Sequence, residues 1–247
     1  MNLVNFDCPE FGQINFVGEK LNDGNDFLIR SNCDRDSLDL LIFLDSRGVN
    51  RTFEASLAEK MIIHIQENRH YLLICRPLEL TTWATLFNFL TLNKLNPKTI
   101  VTNMGFVDFT PKKELIVEDV ISQVEVFMGK GVATSQFIEN YASSSGEKIP
   151  IYSMSCSSAY KHNIETIIRK KSIFIINSPS LSPSIRIKRE RPRSFFFNLE
   201  ESNRFNRSII GAHVFDFQAF DETHTYDGVH YTTLGNDLIF RGIRECL

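Results

Sequence analysis

Short apolar runs recur along this chain, and each gives way to a longer stretch with helical spacing of its apolar residues. Residues 38–44, 71–75, 99–104, 149–154, 172–177 and 212–217 read as strands. Between and after them, residues 53–68, 81–92, 115–128, 159–171, 200–210 and 233–244 read as helices; in the first, positions 57, 58, 61, 62 and 65 share one face. Strands alternating with helices imply a mostly parallel sheet of five or six strands, covered on both faces. Right-handed crossovers make that a three-layer α/β/α sandwich over residues 38–247. Residues 1–37 are more polar and read as a small N-terminal extension, with short strands at 13–17 and 27–30. In open parallel sheets the site lies at the carboxyl ends of the strands.

Charge and cysteine content narrow the function classes. The net charge of −3 over 247 residues excludes a polycation built for nucleic acid. The charge is uneven: residues 1–46 hold nine acidic and three basic side chains, whereas Arg186, Lys188, Arg189, Arg191 and Arg193 face only Glu190 within residues 186–193. Five cysteines at wide spacing, with no Cys-x-x-Cys, argue against a disulfide framework or a cysteine-rich zinc site. No basic segment followed by an apolar run opens the chain, and the uncharged stretch 80–93 that starts beyond Glu79 is too short and polar to span a bilayer. A cytoplasmic protein is expected, with no membrane span.

Three segments at strand ends carry candidate chemistry: Asp45-Ser46, Gly105-Phe106-Val107-Asp108 and Asp227-Gly228-Val229-His230. A serine hydroxyl becomes a nucleophile when a histidine takes its proton, and the histidine needs an acceptor on its other nitrogen. The Asp227-x-x-His230 spacing lets a carboxylate curl back onto the same imidazole. A serine at a strand-to-helix turn has backbone N–H groups nearby to receive an oxyanion. The order Asp-Ser, Gly-x-x-Asp, Asp-x-x-His resembles that of the SGNH hydrolases, or GDSL esterase/lipase superfamily, over roughly residues 38–245. The block from Tyr226 to Asn236 is its most specific part, and the helix at 203–210 fits the same pattern. The resemblance implies a flavodoxin-like sandwich and a serine-dependent O-acyl ester hydrolase or O-acyltransferase. Ser46 would be nucleophile and oxyanion donor, His230 base and Asp227 its orienting acid. It implies no cofactor or metal, and a small-molecule or glycan acyl ester as partner.

The chain departs from the family pattern at three places, and the second and third of them remove two of the three expected oxyanion donors. Leu44 precedes Asp-Ser in place of glycine, Arg76-Pro77-Leu78 follows the second strand where a glycine is expected, and Val107 stands where the family has asparagine. Each lost donor is worth roughly 3 kcal/mol of transition-state stabilisation. Arg47, Arg76 and Asn103 are candidate replacements, and Gly105 and Asp108 complete the candidate oxyanion or substrate-binding set. The alternative is a catalytically weak protein of this fold that binds an anionic glycan or metabolite, with the basic run 186–193 as an anion-binding loop. A nucleotide-binding enzyme ranks last, because the chain has no Gly-x-Gly-x-x-Gly or Walker loop. His162, His213 and His224 show no partner pattern and read as structural. Phe195-Phe196-Phe197 reads as core.

Overall fold

The computed structural model describes residues 3–18, 27–49, 56–65, 69–142, 146–154, 157–181, 191–192, 194–217 and 219–247. A six-stranded sheet forms the centre. Its strands are β3 (Leu28–Ser31), β4 (Leu40–Leu44), β5 (Tyr71–Cys75), β6 (Thr99–Thr102), β10 (Ser172–Ile176) and β11 (Ala212–Phe215). Their spatial order is β11-β10-β6-β4-β5-β3, all parallel except the antiparallel edge strand β3. The five parallel strands therefore follow the order 2-1-3-4-5, with a topological switch between β4 and β6 that opens a crevice at their carboxyl ends.

Burial on both faces explains why these strands are continuous apolar runs rather than alternating ones. Every residue of β4 and β5 is buried. Alternate residues serve opposite layers: Leu41, Phe43, Leu72 and Ile74 join one core, and Leu40, Ile42, Leu44 and Leu73 join the other. The first core is closed by α2 (Trp83–Leu92), α4 (Glu114–Met128), α5 (Ser158–Ile168) and α6 (Ser194–Ser208). The second is closed by α1 (Leu57–Ile65) and α7 (Thr233–Ile243). The three-layer sandwich expected from the sequence is what forms.

Two expectations need correction. The segment at 149–154 does not join the central sheet. It forms β9 (Lys148–Ser153) in a separate antiparallel sheet with β7 (Lys112–Lys113) and β8 (Gln136–Ala142). Its burial alternates instead of being continuous, and Pro150 lacks the N–H that a central strand must donate. Of the phenylalanine cluster, only Phe195 is core; Phe196 is 38% and Phe197 66% exposed. The three lie in α6, where successive side chains point about 100° apart.

The N-terminal segment contributes to the main core. A hairpin of β1 (Leu3–Cys8) and β2 (Gly12–Val17) lays Phe16 against Phe89 of α2, with ring centroids 5.1 Å apart. The Asn93 amide at the end of α2 receives the Asn15 N–H at 2.9 Å and donates to the Asn15 carbonyl at 2.8 Å. Phe16→Ala empties a fully buried ring site and is expected to cost about 3–5 kcal/mol in denaturant unfolding. A loss under about 1 kcal/mol would mean that the hairpin is an appendage.

Candidate active site

Asp45, Arg76, Asn103 and Asn177 leave the sheet at the same edge, at the ends of β4, β5, β6 and β10. Asp45 caps a single turn at Ser46–Gly48, its carboxylate accepting the Arg47 N–H at 2.9 Å. The same buried carboxylate takes Nε of Arg47 at 3.0 Å, Nη2 at 2.7 Å and the Asn103 amide at 2.9 Å, while the Asp45 N–H donates to Asn103 Oδ1 at 2.8 Å. Arg47 then donates to the Asn103 carbonyl and the Ser178 hydroxyl, and stacks 4.7 Å over the Phe106 ring. Burial alone would weaken the charge on its guanidinium. Asp45 and the Tyr231 phenol, with which it also hydrogen-bonds, more than offset that and raise its pKa.

Asp227 and His230 form a pair, as their spacing implied. His230 Nδ1 lies 3.0 Å from Asp227 Oδ2. Asp227 Oδ1 accepts the N–H groups of Val229 at 3.0 Å and His230 at 2.9 Å. Burial would raise the Asp227 carboxyl, but the His230 ring and the two N–H groups outweigh it and hold the carboxyl well below the usual range. An ionised carboxylate only accepts hydrogen bonds, so Nδ1 carries a proton, and in the neutral ring Nε2 is left as an acceptor. The surrounding segment is tied to itself: Tyr226 N–H and the Thr225 hydroxyl both donate to the His230 carbonyl, and Gly228 N–H donates to the Thr225 hydroxyl.

Ser46 and His230 reach the same region through their chain neighbours, because Arg47 follows Ser46 and Tyr231 follows His230. Among the described residues, no hydrogen bond joins Ser46 to His230. A cleft is lined by their chain neighbours Arg47, Val229 and Tyr231, with Phe106, Ser178 and Leu199 among others; Ser46, Asp227 and His230 do not themselves line it.

The remaining candidates are placed as follows. Asn103 spends its amide on Asp45, and Arg47 is enclosed by its partners, so both hold the serine turn. Gly105 has φ of +110°, and a Cβ there would come within 2.8 Å of Ser202 Oγ on α6, so the position needs glycine for packing as well as conformation. Asp108 does not line the cleft, and its reading as a substrate contact is corrected. It is 2% exposed, caps α2 by accepting the Trp83 N–H at 3.0 Å, and accepts from the Tyr160 hydroxyl. Burial pushes its carboxyl up to about 6 and pushes the neighbouring Lys112 down to about 7. Arg76 adopts φ of +44°, a left-handed conformation that favours glycine. The chain thus keeps a glycine-like backbone where the family pattern has glycine, and its N–H donates to the Leu44 carbonyl at 2.8 Å. Of the basic run, residues 186–190 and 193 lie outside the described residues, as does Cys156.

Two relationships escaped the sequence reading. His224 has a partner after all: its Nδ1 lies 2.7 Å from Asp221 Oδ1, at the same Asp-x-x-His spacing as the pair downstream. The repeated spacing was the available signal. Arg191 lies 3.8 Å from Asp227 Oδ2, a contact that no spacing rule gives.

No family model matches the chain, and no curated protein matches it. Among solved structures it is similar to a carbohydrate acetylesterase family member from Sinorhizobium meliloti, at 12% identity over 85% of this chain and 96% of that one, with a TM-score of 0.45. A mutant family two carbohydrate esterase from Clostridium thermocellum matches at 12% identity over 84% of this chain and 62% of that one, TM-score 0.42. A protein assigned as a GDSL-like lipase from Bacteroides ovatus ATCC 8483 matches at 8% identity over 83% and 50%, TM-score 0.42.

Arg47→Met strands a buried Asp45 carboxylate and is expected to cost about 3–5 kcal/mol in urea unfolding, part of it recovered when Asp45→Asn is added. The depressed Asp227 carboxyl gives a pH signature. Its contribution to stability is present above the unfolded carboxylate range, about pH 4, and is lost as pH falls through the lower folded value. Asp227→Asn is expected to flatten the acid limb of the stability profile relative to wild type.

Proposed function

We propose that this chain is a serine-dependent O-acyl ester hydrolase or O-acyltransferase acting on an acylated carbohydrate or glycan precursor. The observation that supports it best is the Asp227–His230 pair, whose carboxylate is locked by two backbone N–H groups and whose imidazole is left with an accepting Nε2. In this reading the Ser46 hydroxyl gives its proton to His230 Nε2 and its oxygen attacks the acyl carbonyl. Asp227 stabilises the imidazolium without taking the proton. The imidazolium then protonates the departing alcohol. Water, or a second hydroxyl in a transferase, repeats the sequence on the acyl-enzyme. The Ser46 N–H serves the oxyanion.

A weaker, binding role is favoured by one observation: the two side chains best placed to replace the missing oxyanion donors, Asn103 and Arg47, are engaged on Asp45. Such a site would acylate slowly and deacylate slowly, since both steps pass through an oxyanion.

Intact-mass analysis after treatment with a fluorophosphonate separates the readings without knowledge of the substrate. One adduct on wild type, absent from Ser46→Ala and reduced at least a hundredfold in rate by His230→Ala, is the expected result. Folded wild-type protein that resists the probe would overturn the enzymatic reading and leave the binding one.

A further inference from the structure

We propose that Arg191 is a positioning residue of the Asp227–His230 pair, an inference that rests on the enzymatic reading above. The carboxylate of Asp227 is fixed unequally. Its Oδ1 accepts two backbone N–H groups and lies 3.2 Å from His230 Nδ1, whereas among the described residues Oδ2 meets side chains: His230 Nδ1 at 3.0 Å and Arg191 Nη2 at 3.8 Å. At that distance Arg191 acts as a charge beside Oδ2 rather than as a hydrogen-bond donor to it. A cation there opposes rotation of the carboxylate away from the plane in which it meets the imidazole. The two side chains are 15% and 20% exposed, so solvent screens the contact only in part.

Arg191 is itself held in place. Its guanidinium lies 4.7 Å over the ring of Phe195, which is 3% exposed. The Phe195 N–H donates to the Pro192 carbonyl at 3.0 Å, which ties the residue after Arg191 to the first turn of α6. Phe195 in turn meets Phe106 edge to face, with centroids 5.7 Å apart, and Phe106 carries Arg47 on its own face at 4.7 Å. The aromatic pair Phe106–Phe195 thus seats two guanidiniums. One, from Arg47, steadies the serine turn. The other, from Arg191, steadies the acid of the pair. The two halves of the site are set against one support even though they come from opposite ends of the chain. This gives one member of the basic run 186–193 a role within the site, separate from any ligand that the run attracts.

The test compares rates of fluorophosphonate labelling at Ser46 for wild type, Arg191→Ala and Arg191→Lys, with and without methylguanidinium at sub-denaturing concentration. The expected loss for Arg191→Ala is about tenfold, typical of groups that orient a site residue. Arg191→Lys should regain part of the rate, because it restores charge without the planar stack. Methylguanidinium should raise the rate of Arg191→Ala and leave Asp227→Asn unchanged. Wild-type rates in Arg191→Ala, or a loss that neither lysine nor methylguanidinium repairs, would overturn the proposal. If wild type itself does not label, the enzymatic reading fails, and the positioning is judged separately from the proton resonance of His230 Nδ1–H. Broadening of that resonance in Arg191→Ala supports the contact, and an unchanged resonance refutes it.

Discussion

The buried ion pair between Asp45 and Arg47 organises the edge of the central sheet where the parallel strands end. Taking both charges out of water is expensive, and such a pair holds only when its remaining donors and acceptors are also satisfied. Here they are, by groups from different strands: the Asn103 side chain and carbonyl after β6, the Ser178 hydroxyl after β10, and the Tyr231 phenol beside His230. Each partner comes from a segment of its own, well separated in sequence from the others. Because the pair cannot remain buried without them, the cost of burial becomes a constraint on loop geometry. The switch point between β4 and β6 supplies the crevice, and the ion pair fixes what stands at its rim.

That arrangement also limits the chemistry. A side chain that neutralises a buried carboxylate is poorly available to an oxyanion, since moving it would leave Asp45 uncompensated. The rigidity of the serine turn and the scarcity of oxyanion donors therefore have one origin. Asp227 is served differently, by backbone N–H groups of its own turn. Those donors need no side-chain entropy and come with the Gly228 conformation, φ +80°. The Asp227–His230 turn is thus built locally, and the turn at Ser46 through long-range contacts.

The sequence showed the scaffold where burial is uniform. β5 at Tyr71–Cys75 is apolar at every position, and α2 shows as an uncharged apolar run, to which the structure adds a Thr82–Thr85 capping box. It failed where elements are half-buried and polar. β8, Gln136–Ala142, has no clean alternation, and its register slips between Phe137 and Glu139. At the site, Asp227 and His230 were legible because their contact is local, within one turn of chain. Asp108 was misread because its partners, Trp83 and Tyr160, lie 25 and 52 residues away. The Arg191 contact was hidden for the same reason. A charged residue reads the same in sequence whether it is solvated, paired or structural, and only the fold decides.

Arg76 shows how a departure from a family pattern can preserve the backbone while changing the chemistry. A left-handed residue other than glycine costs roughly 1–2 kcal/mol, part of which glycine would give back in chain entropy. The chain accepts that strain at the end of β5, beside the serine turn, where the Arg76 N–H secures the Leu44 carbonyl. Arg76→Gly is therefore expected to leave the fold intact and to raise stability by at most about 1 kcal/mol. The guanidinium at position 76 pairs with Glu79 at 3.6 Å, and a part in the site would show as a loss of labelling at Ser46 when it is removed. A variant that gains stability and loses labelling rate at Ser46 fits that account; one that gains stability with labelling unchanged removes Arg76 from the site.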